Sequence, residues 1–191
     1  MTKVAVIMFQ QQPKRLDPRP SPRTDIRWIG SPNHYDAFAG PPIAIVIHTM
    51  VGTLAGTDNW FTNPESEASA HFGVGLSGEI HQYVSTTVPA WANGNIEPGN
   101  RWPGVDEPDP NFWSISIETE DNGRPDSEPV TIIQYDSVKS VCVNVLKDHP
   151  TIKYLVSHKA ICADTKGCPG RRWLDGAFVA LAHELHLNAI P

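Results

Sequence analysis

The sequence predicts a single α/β domain with a central mixed β-sheet flanked by α-helices, and three features of its 191 residues carry that prediction. One is Ile43-Ala44-Ile45-Val46-Ile47, an unbroken and mostly β-branched run behind Gly40-Pro41-Pro42, the pattern of a central strand covered on both faces. Another is the spacing of Val138, Val141, Cys142, Val145 and Leu146 within Thr131 to His149, at i, i+3, i+4, i+7 and i+8, which is the stripe of an amphipathic helix. The third is the order of elements: strand, helix, hairpin, strand, helix, strand, helix suits a mixed sheet with helical connections. With 40% hydrophobic residues, a chain of 191 residues fills one core and is too short for two full domains.

Residues 1–25 read as an extended, basic, proline-rich arm, because Pro13, Pro18, Pro20 and Pro22 each lack a backbone donor and restrict the residue before them. Residues 26–191 are then the folded domain. After the Ile43 to Ile47 strand, which is followed directly by His48, Thr53 to Phe61 forms a short helix stopped near Asn63-Pro64. Ser69 to Gly75 and Glu79 to Ser85 flank Leu76-Ser77-Gly78 and read as a hairpin. From Ala92 to Phe112 four prolines and three glycines make a long loop, and loops of this length are usually functional. Ser114-Ile115-Ser116-Ile117-Glu118 alternates, which predicts a half-buried strand with Ser114, Ser116 and Glu118 on its polar face. Tyr154-Leu155-Val156-Ser157 is a short strand that delivers His158, and a last helix from about Arg172 to Leu187 buries Ala177, Phe178, Leu181, Ala182 and Leu185.

Several classes are excluded or disfavoured. The longest apolar runs, Val4 to Phe9 and Ile43 to Ile47, fall far short of the roughly 20 residues of a membrane helix, so no membrane insertion is expected. Val4 to Phe9 leads into Gln10-Gln11-Gln12-Pro13-Lys14-Arg15 and not into a small-residue cleavage site, so synthesis in the cytoplasm without a Sec signal is expected. Three cysteines, Cys142, Cys162 and Cys168, are too few for a disulfide scaffold and leave thiols for metal or catalysis. The net charge of −6 is uneven: residues 1–27 hold six basic and two acidic side chains, +4, which leaves −10 on the rest. An acidic body without interleaved basic and aromatic residues argues against nucleic acid as a partner, whereas the basic arm suits contact with another anionic polymer.

The chemistry concentrates at strand ends. His48 and His158 each end a predicted strand, and Cys168 lies in the loop ten residues beyond His158. Two imidazoles and a thiolate are three ligands for tetrahedral Zn²⁺ with the fourth position left for water, the catalytic arrangement. By spacing alone, either histidine is equally an ordinary core or surface residue. Cys162, four residues from His158, competes with Cys168, whereas Cys142 on the apolar stripe reads as a core thiol.

The stretch from His158 to Gly170, with Lys166, Cys168 and Pro169, resembles the zinc loop of the N-acetylmuramoyl-L-alanine amidases of the peptidoglycan-recognition (type 2 amidase) superfamily. Ile45-Val46-Ile47-His48 resembles that family's first zinc-ligand strand, Ser69-Ala70-His71-Phe72 its central-strand motif, and Ser116-Ile117-Glu118 the segment with its catalytic glutamate. All four occur in the family's order between about residues 43 and 173. The resemblance implies the family's fold, His48, His158 and Cys168 as zinc ligands, Glu118 as catalytic acid/base and Lys166 as a stabiliser of the transition state. It favours Cys168 over Cys162, because only Cys168 has the Lys166 and Pro169 context. The implied reaction is hydrolysis of the amide between N-acetylmuramic acid and L-alanine in peptidoglycan.

Two departures stand out. Many relatives carry a tyrosine where this chain has Ala70, so more of the catalysis falls on Glu118, Lys166 and the metal. Trp91-Ala92-Asn93-Gly94 is similar to a family segment in which histidine follows the tryptophan, and that histidine is absent. His71 and Trp91 are candidates for substrate binding, with core packing the alternative for each. Nothing follows the last predicted helix that would form a separate wall-binding module, and a leaderless amidase of this kind looks like a phage or prophage endolysin released by a membrane-permeabilising partner. A cytosolic amidase recycling anhydro-muropeptides, a non-catalytic peptidoglycan-recognition module and a thiol hydrolase using Cys142 or Cys168 with His158 are the competing readings.

Overall fold

The computed structural model describes residues 25–104, 109–162 and 167–191. The predicted arm, apart from Asp25, and Lys166 lie outside the described residues. Among the described residues seven strands form one mixed sheet: β1 (Ile26–Trp28), β2 (Ala44–Thr49), β3 (Phe72–Val74), β4 (Ile80–Gln82), β5 (Ser114–Thr119), β6 (Tyr154–Ser157) and β7 (Asn188–Ile190), in the order β1-β4-β3-β5-β2-β6-β7. β3 and β4 pair antiparallel and every other pair is parallel, so the predicted mixed sheet is present. The helices are α1 (Leu54–Thr62), α2 (Ile132–Asp148), α3 (His158–Ile161), α4 (Arg171–Leu174) and α5 (Ala177–Glu184).

The sequence dictates most of these boundaries locally. Thr53 caps α1 by accepting from the Gly56 amide, and Thr131 caps α2 by accepting from the Gln134 amide, each satisfying an amide that lacks an intrahelical partner. The β3–β4 hairpin closes where predicted, with the Gly75 amide donating to Glu79 and the Gly78 amide to Gly75. The predicted stripe of α2 buries Val138, Val141, Cys142 and Val145 against Ile45, Ile47, Ile115, Ile117 and Leu155 of the sheet, with Trp173, Phe178 and Leu181 completing that layer. A smaller layer on the opposite face joins Ala44, Val46 and Val156 to Trp102, Ala160 and Ile161. α1 contributes Phe61 to a third cluster with Ala70, Tyr83, Val84 and Ala90.

Four expectations change. The first strand runs through His48 to Thr49 and does not stop at Ile47, so His48 is paired inside the sheet. β5 is buried on both faces and not half-buried: Ile115 and Ile117 pack under α2, and on the other face the hydroxyls of Ser114 and Ser116 are satisfied by Pro110 and His71 instead of water. The last helix is broken into α4 and α5 at Asp175-Gly176, where Gly176 adopts φ +136°, and its end gives way to β7. β7 and β1 are sheet edges that three-residue, largely exposed segments could not announce. Among the described residues no helix is long and apolar enough to cross a membrane.

Candidate metal centre

Register places the candidate residues. β2 lies between two parallel neighbours, with His48 opposite Glu118 of β5 and Ile47 opposite Ser157 of β6. The residue after Ser157 is His158, so Glu118, His48 and His158 follow one another across the carboxyl ends of three parallel strands, where open α/β sheets build their sites. Ser157 converts strand to helix at that point: its side chain accepts from the Ala160 amide and makes His158 the first residue of α3. Cys168 reaches the same spot from the following loop, held by a 2.8 Å bond from the Lys159 amide to its carbonyl. Two residues on, Gly170 has φ +82°, and a Cβ there would stand 2.3 Å from the Pro125 carbonyl oxygen, so the loop requires glycine to pass.

The ligand atoms of His48, His158 and Cys168 lie within 4.8 Å of one another, and the two imidazole rings are 4.3 Å apart. His48 Nδ1 is 3.9 Å from Glu118 Oε1. Each group has an outer partner. His48 Nε2 lies 3.0 Å from Asn93 Oδ1, His158 Nε2 lies 3.1 Å from the Asn93 carbonyl oxygen, and the Thr49 amide donates to Cys168 Sγ at 3.3 Å. Thr49 is fixed in turn by its hydroxyl, which donates to Asp121 Oδ2 at 2.5 Å, while Asp121 Oδ1 accepts from the Gly52 and Gly123 amides.

Burial keeps this cluster uncharged. It holds His48 well below the ordinary histidine value, helped by the neighbouring His158, and it lowers His158 as well. Glu118 is pushed up to about 8 by burial and then by Asp121, and its Oε2 is buried with no hydrogen-bond partner among the described residues. The Cys168 thiol is held far above its usual range by burial and by Glu118. Two imidazoles and a thiol converge within 4.8 Å, the Glu118 carboxyl lies beside His48, and no cationic side chain pairs with them among the described residues; a metal cation held there would draw off the thiol proton. The donor set therefore fits a metal that prefers nitrogen and sulfur.

A family model described as N-acetylmuramoyl-L-alanine amidase (Amidase_2) matches residues 38–171, which contain every one of these groups. The chain belongs to that amidase family. N-acetylmuramoyl-L-alanine amidase A of Achromobacter lyticus is 37% identical over 62 residues, 32% of this chain and 35% of that protein. A selenomethionine AmpD structure is similar with a TM-score of 0.66 and 26% identity, over 83% of this chain and 95% of that one. The AmiD amidase of E. coli, in complex with anhydro-N-acetylmuramic acid-L-Ala-D-γ-Glu-L-Lys, shares the fold with a TM-score of 0.63 and 22% identity, over 81% of this chain and 62% of that one.

In this amidase family member, a cleft of about 410 Å³ opens beside the cluster, bounded by Thr49, Glu118, Val51, Phe61 and, 56% exposed on α1, Trp60. Neither His71 nor Trp91 bounds it. Trp91 packs edge-on against Tyr35 with ring centroids 5.7 Å apart. His71 is 1% exposed and both ring nitrogens are engaged inside the fold: Nδ1 accepts from the Ser116 amide at 3.0 Å and Nε2 donates to the Val88 carbonyl at 3.0 Å. Of the other cysteines, Cys142 is buried in the core as expected, and Cys162 Sγ turns to Glu97 Oε1 at 3.0 Å. Asn93, Thr49 and Asp121 were not candidates by sequence: no spacing or motif announces a group that acts by touching ligands far along the chain.

Two outcomes are expected. Zinc, measured by equilibrium dialysis, binds the Cys162→Ser variant and is lost from Cys168→Ser; the reverse would move the site to Cys162. Burial lowers His71 from 6.5 to about 4, so the unfolded chain binds a proton there that the folded chain refuses. This contribution to stability is complete above pH 6.5 and is lost as pH falls toward 4, by about 3 kcal/mol. An NMR titration of the His71 ring is expected to show a midpoint near 4, and a midpoint at the ordinary value would contradict the buried, hydrogen-bonded ring.

Proposed function

We propose that this chain is a zinc-dependent amidase that hydrolyses the bond between the lactyl carbonyl of N-acetylmuramic acid and the nitrogen of L-alanine. The observation that carries the reading is the convergence of His48, His158 and Cys168 within 4.8 Å, with Glu118 set 3.9 Å from His48. The first three residues would hold zinc, and bound zinc supplies a water acidified toward neutrality and a Lewis acid for the amide carbonyl. Glu118 takes the proton of the attacking water and hands it to the departing nitrogen. A carbon–oxygen bond forms, the carbon–nitrogen bond breaks, and the products are a lactyl carboxylate and a free alanine amine. Burial raises the Glu118 carboxyl toward neutrality in the metal-free site, and a cation held beside it would favour the carboxylate form that accepts a proton. Lys166 is assigned the charge that develops on the carbonyl oxygen. Thr49, Thr53 and Thr57 together with Val51 and Trp60 give the muramyl peptide a cleft of mixed polar and apolar lining that reaches Glu118.

The role we assign is lysis of the intact wall, as a phage or prophage endolysin. Its support is the charge asymmetry: a +4 segment over residues 1–27 gives a body of −10 a point of attachment to an anionic polymer. Recycling of soluble anhydro-muropeptides is the second reading, motivated by the anhydro-muramyl peptide held by AmiD.

Digestion of purified sacculi and of soluble anhydro-muropeptide, with mass spectrometry of the new ends, tests both readings. Free alanine amines from sacculi are expected, abolished by a chelator and restored by zinc. Glu118→Gln is expected to keep zinc and to lower kcat by about 10²–10⁴-fold. New reducing sugars would contradict the amidase reading, and cleavage confined to the soluble muropeptide would favour recycling.

A further inference from the structure

We propose that Asn93 is a positioning residue for the metal site, one residue whose side-chain and main-chain carbonyls together fix the tautomer and orientation of both imidazole ligands. The inference rests on His48 and His158 being metal ligands. Asn93 is 1% exposed and meets the Nε2 edge of both rings: its Oδ1 is 3.0 Å from His48 Nε2 and its backbone oxygen 3.1 Å from His158 Nε2. A backbone carbonyl only accepts, so His158 carries its proton on Nε2 and leaves the Nδ1 lone pair for a metal.

The side-chain amide is oriented by a chain of donors. Ser114 Oγ donates its one proton to the Pro110 carbonyl at 2.9 Å, so it meets Asn93 only as an acceptor, and Asn93 Nδ2 donates to it at 2.9 Å. This turns Asn93 Oδ1 toward His48 as an acceptor, which places the His48 proton on Nε2 and frees Nδ1, the nitrogen that faces Glu118. The loop around Asn93 is held as well: Asn111 Oδ1 accepts from the Ala92 amide at 3.0 Å and from the Asn93 amide at 2.8 Å. Asp109 Oδ1 anchors the Asn111 amide at 2.9 Å. Partners of this kind set the tautomer and ring orientation of ligating histidines, and their loss costs about 10–100-fold in metal affinity.

The test has two arms on the full chain. Long-range ¹H–¹⁵N NMR of the metal-free wild type is expected to show Nε2–H tautomers for both rings; Nδ1–H at His48 would overturn the proposal. Zinc affinity by competition with a chromophoric chelator is expected to fall about 10–100-fold in Asn93→Leu, which loses the acceptor, and to be largely kept in Asn93→Asp, which retains one. Unchanged affinity in Asn93→Leu, or equal loss in both variants, would overturn it, the latter marking a merely structural role. Should Asn93→Leu not fold, the wild-type tautomers and Asn93→Asp still decide. A wild type that takes no zinc defeats the metal reading alone, because the tautomers are read without metal.

Discussion

Parallel pairing of β2 with β5 on one side and β6 on the other sets His48 beside Glu118 and brings the chain out of β6 at His158. Side chains alternate between faces along a strand, so a slip of one residue in either pairing would carry Glu118 or His48 to the helix-covered face. The register is pinned by what lies on that face. Ile45, Ile47, Ile115, Ile117 and Leu155 meet α2 and the Trp173–Phe178 layer, and no slip keeps all five covered. The core thus specifies the geometry of the site, although no core residue takes part in its chemistry.

The second level is electrostatic. Largely buried strand ends are a poor place for charge, and burial lowers His48 and His158 and raises Cys168 and Glu118, each toward its uncharged form while no metal is bound. The outer partners then decide which atoms face the centre: Asn93 occupies both Nε2 atoms, and the Thr49 amide points at the Cys168 sulfur. Thr49 belongs to the same strand as His48 and is tied to Asp121, the group that also raises Glu118. Ligand placement and carboxyl tuning therefore share one short stretch of backbone.

Elements with a long, unambiguous period were legible in the sequence. β2 and α2 could be read from apolar runs and stripes, and so could the end of β6 that delivers His158, whereas β2 runs one residue past His48, beyond where the apolar run stops. Alternation misled at β5, where Ser114 and Ser116 look solvent-facing in one dimension but are satisfied by Pro110 and His71 from distant parts of the chain. β1 and β7 have three residues each and exist only through their neighbours. Asn93 was invisible for the same reason: the rings it touches are 45 and 65 residues away, inside a proline- and glycine-rich stretch without periodicity. His71 was singled out by the motif around it, yet its burial follows from the Ser116 and Val88 contacts that no motif encodes.

The core-imposed register brings His48, His158 and Cys168 together as the donors proposed for a mixed nitrogen–sulfur metal site. Zinc-edge X-ray absorption on the zinc-loaded protein addresses that donor set most directly. One sulfur at about 2.3 Å with two imidazole nitrogens at about 2.0–2.1 Å is the predicted shell. A shell with two sulfurs, with no sulfur, or with only one imidazole would contradict it.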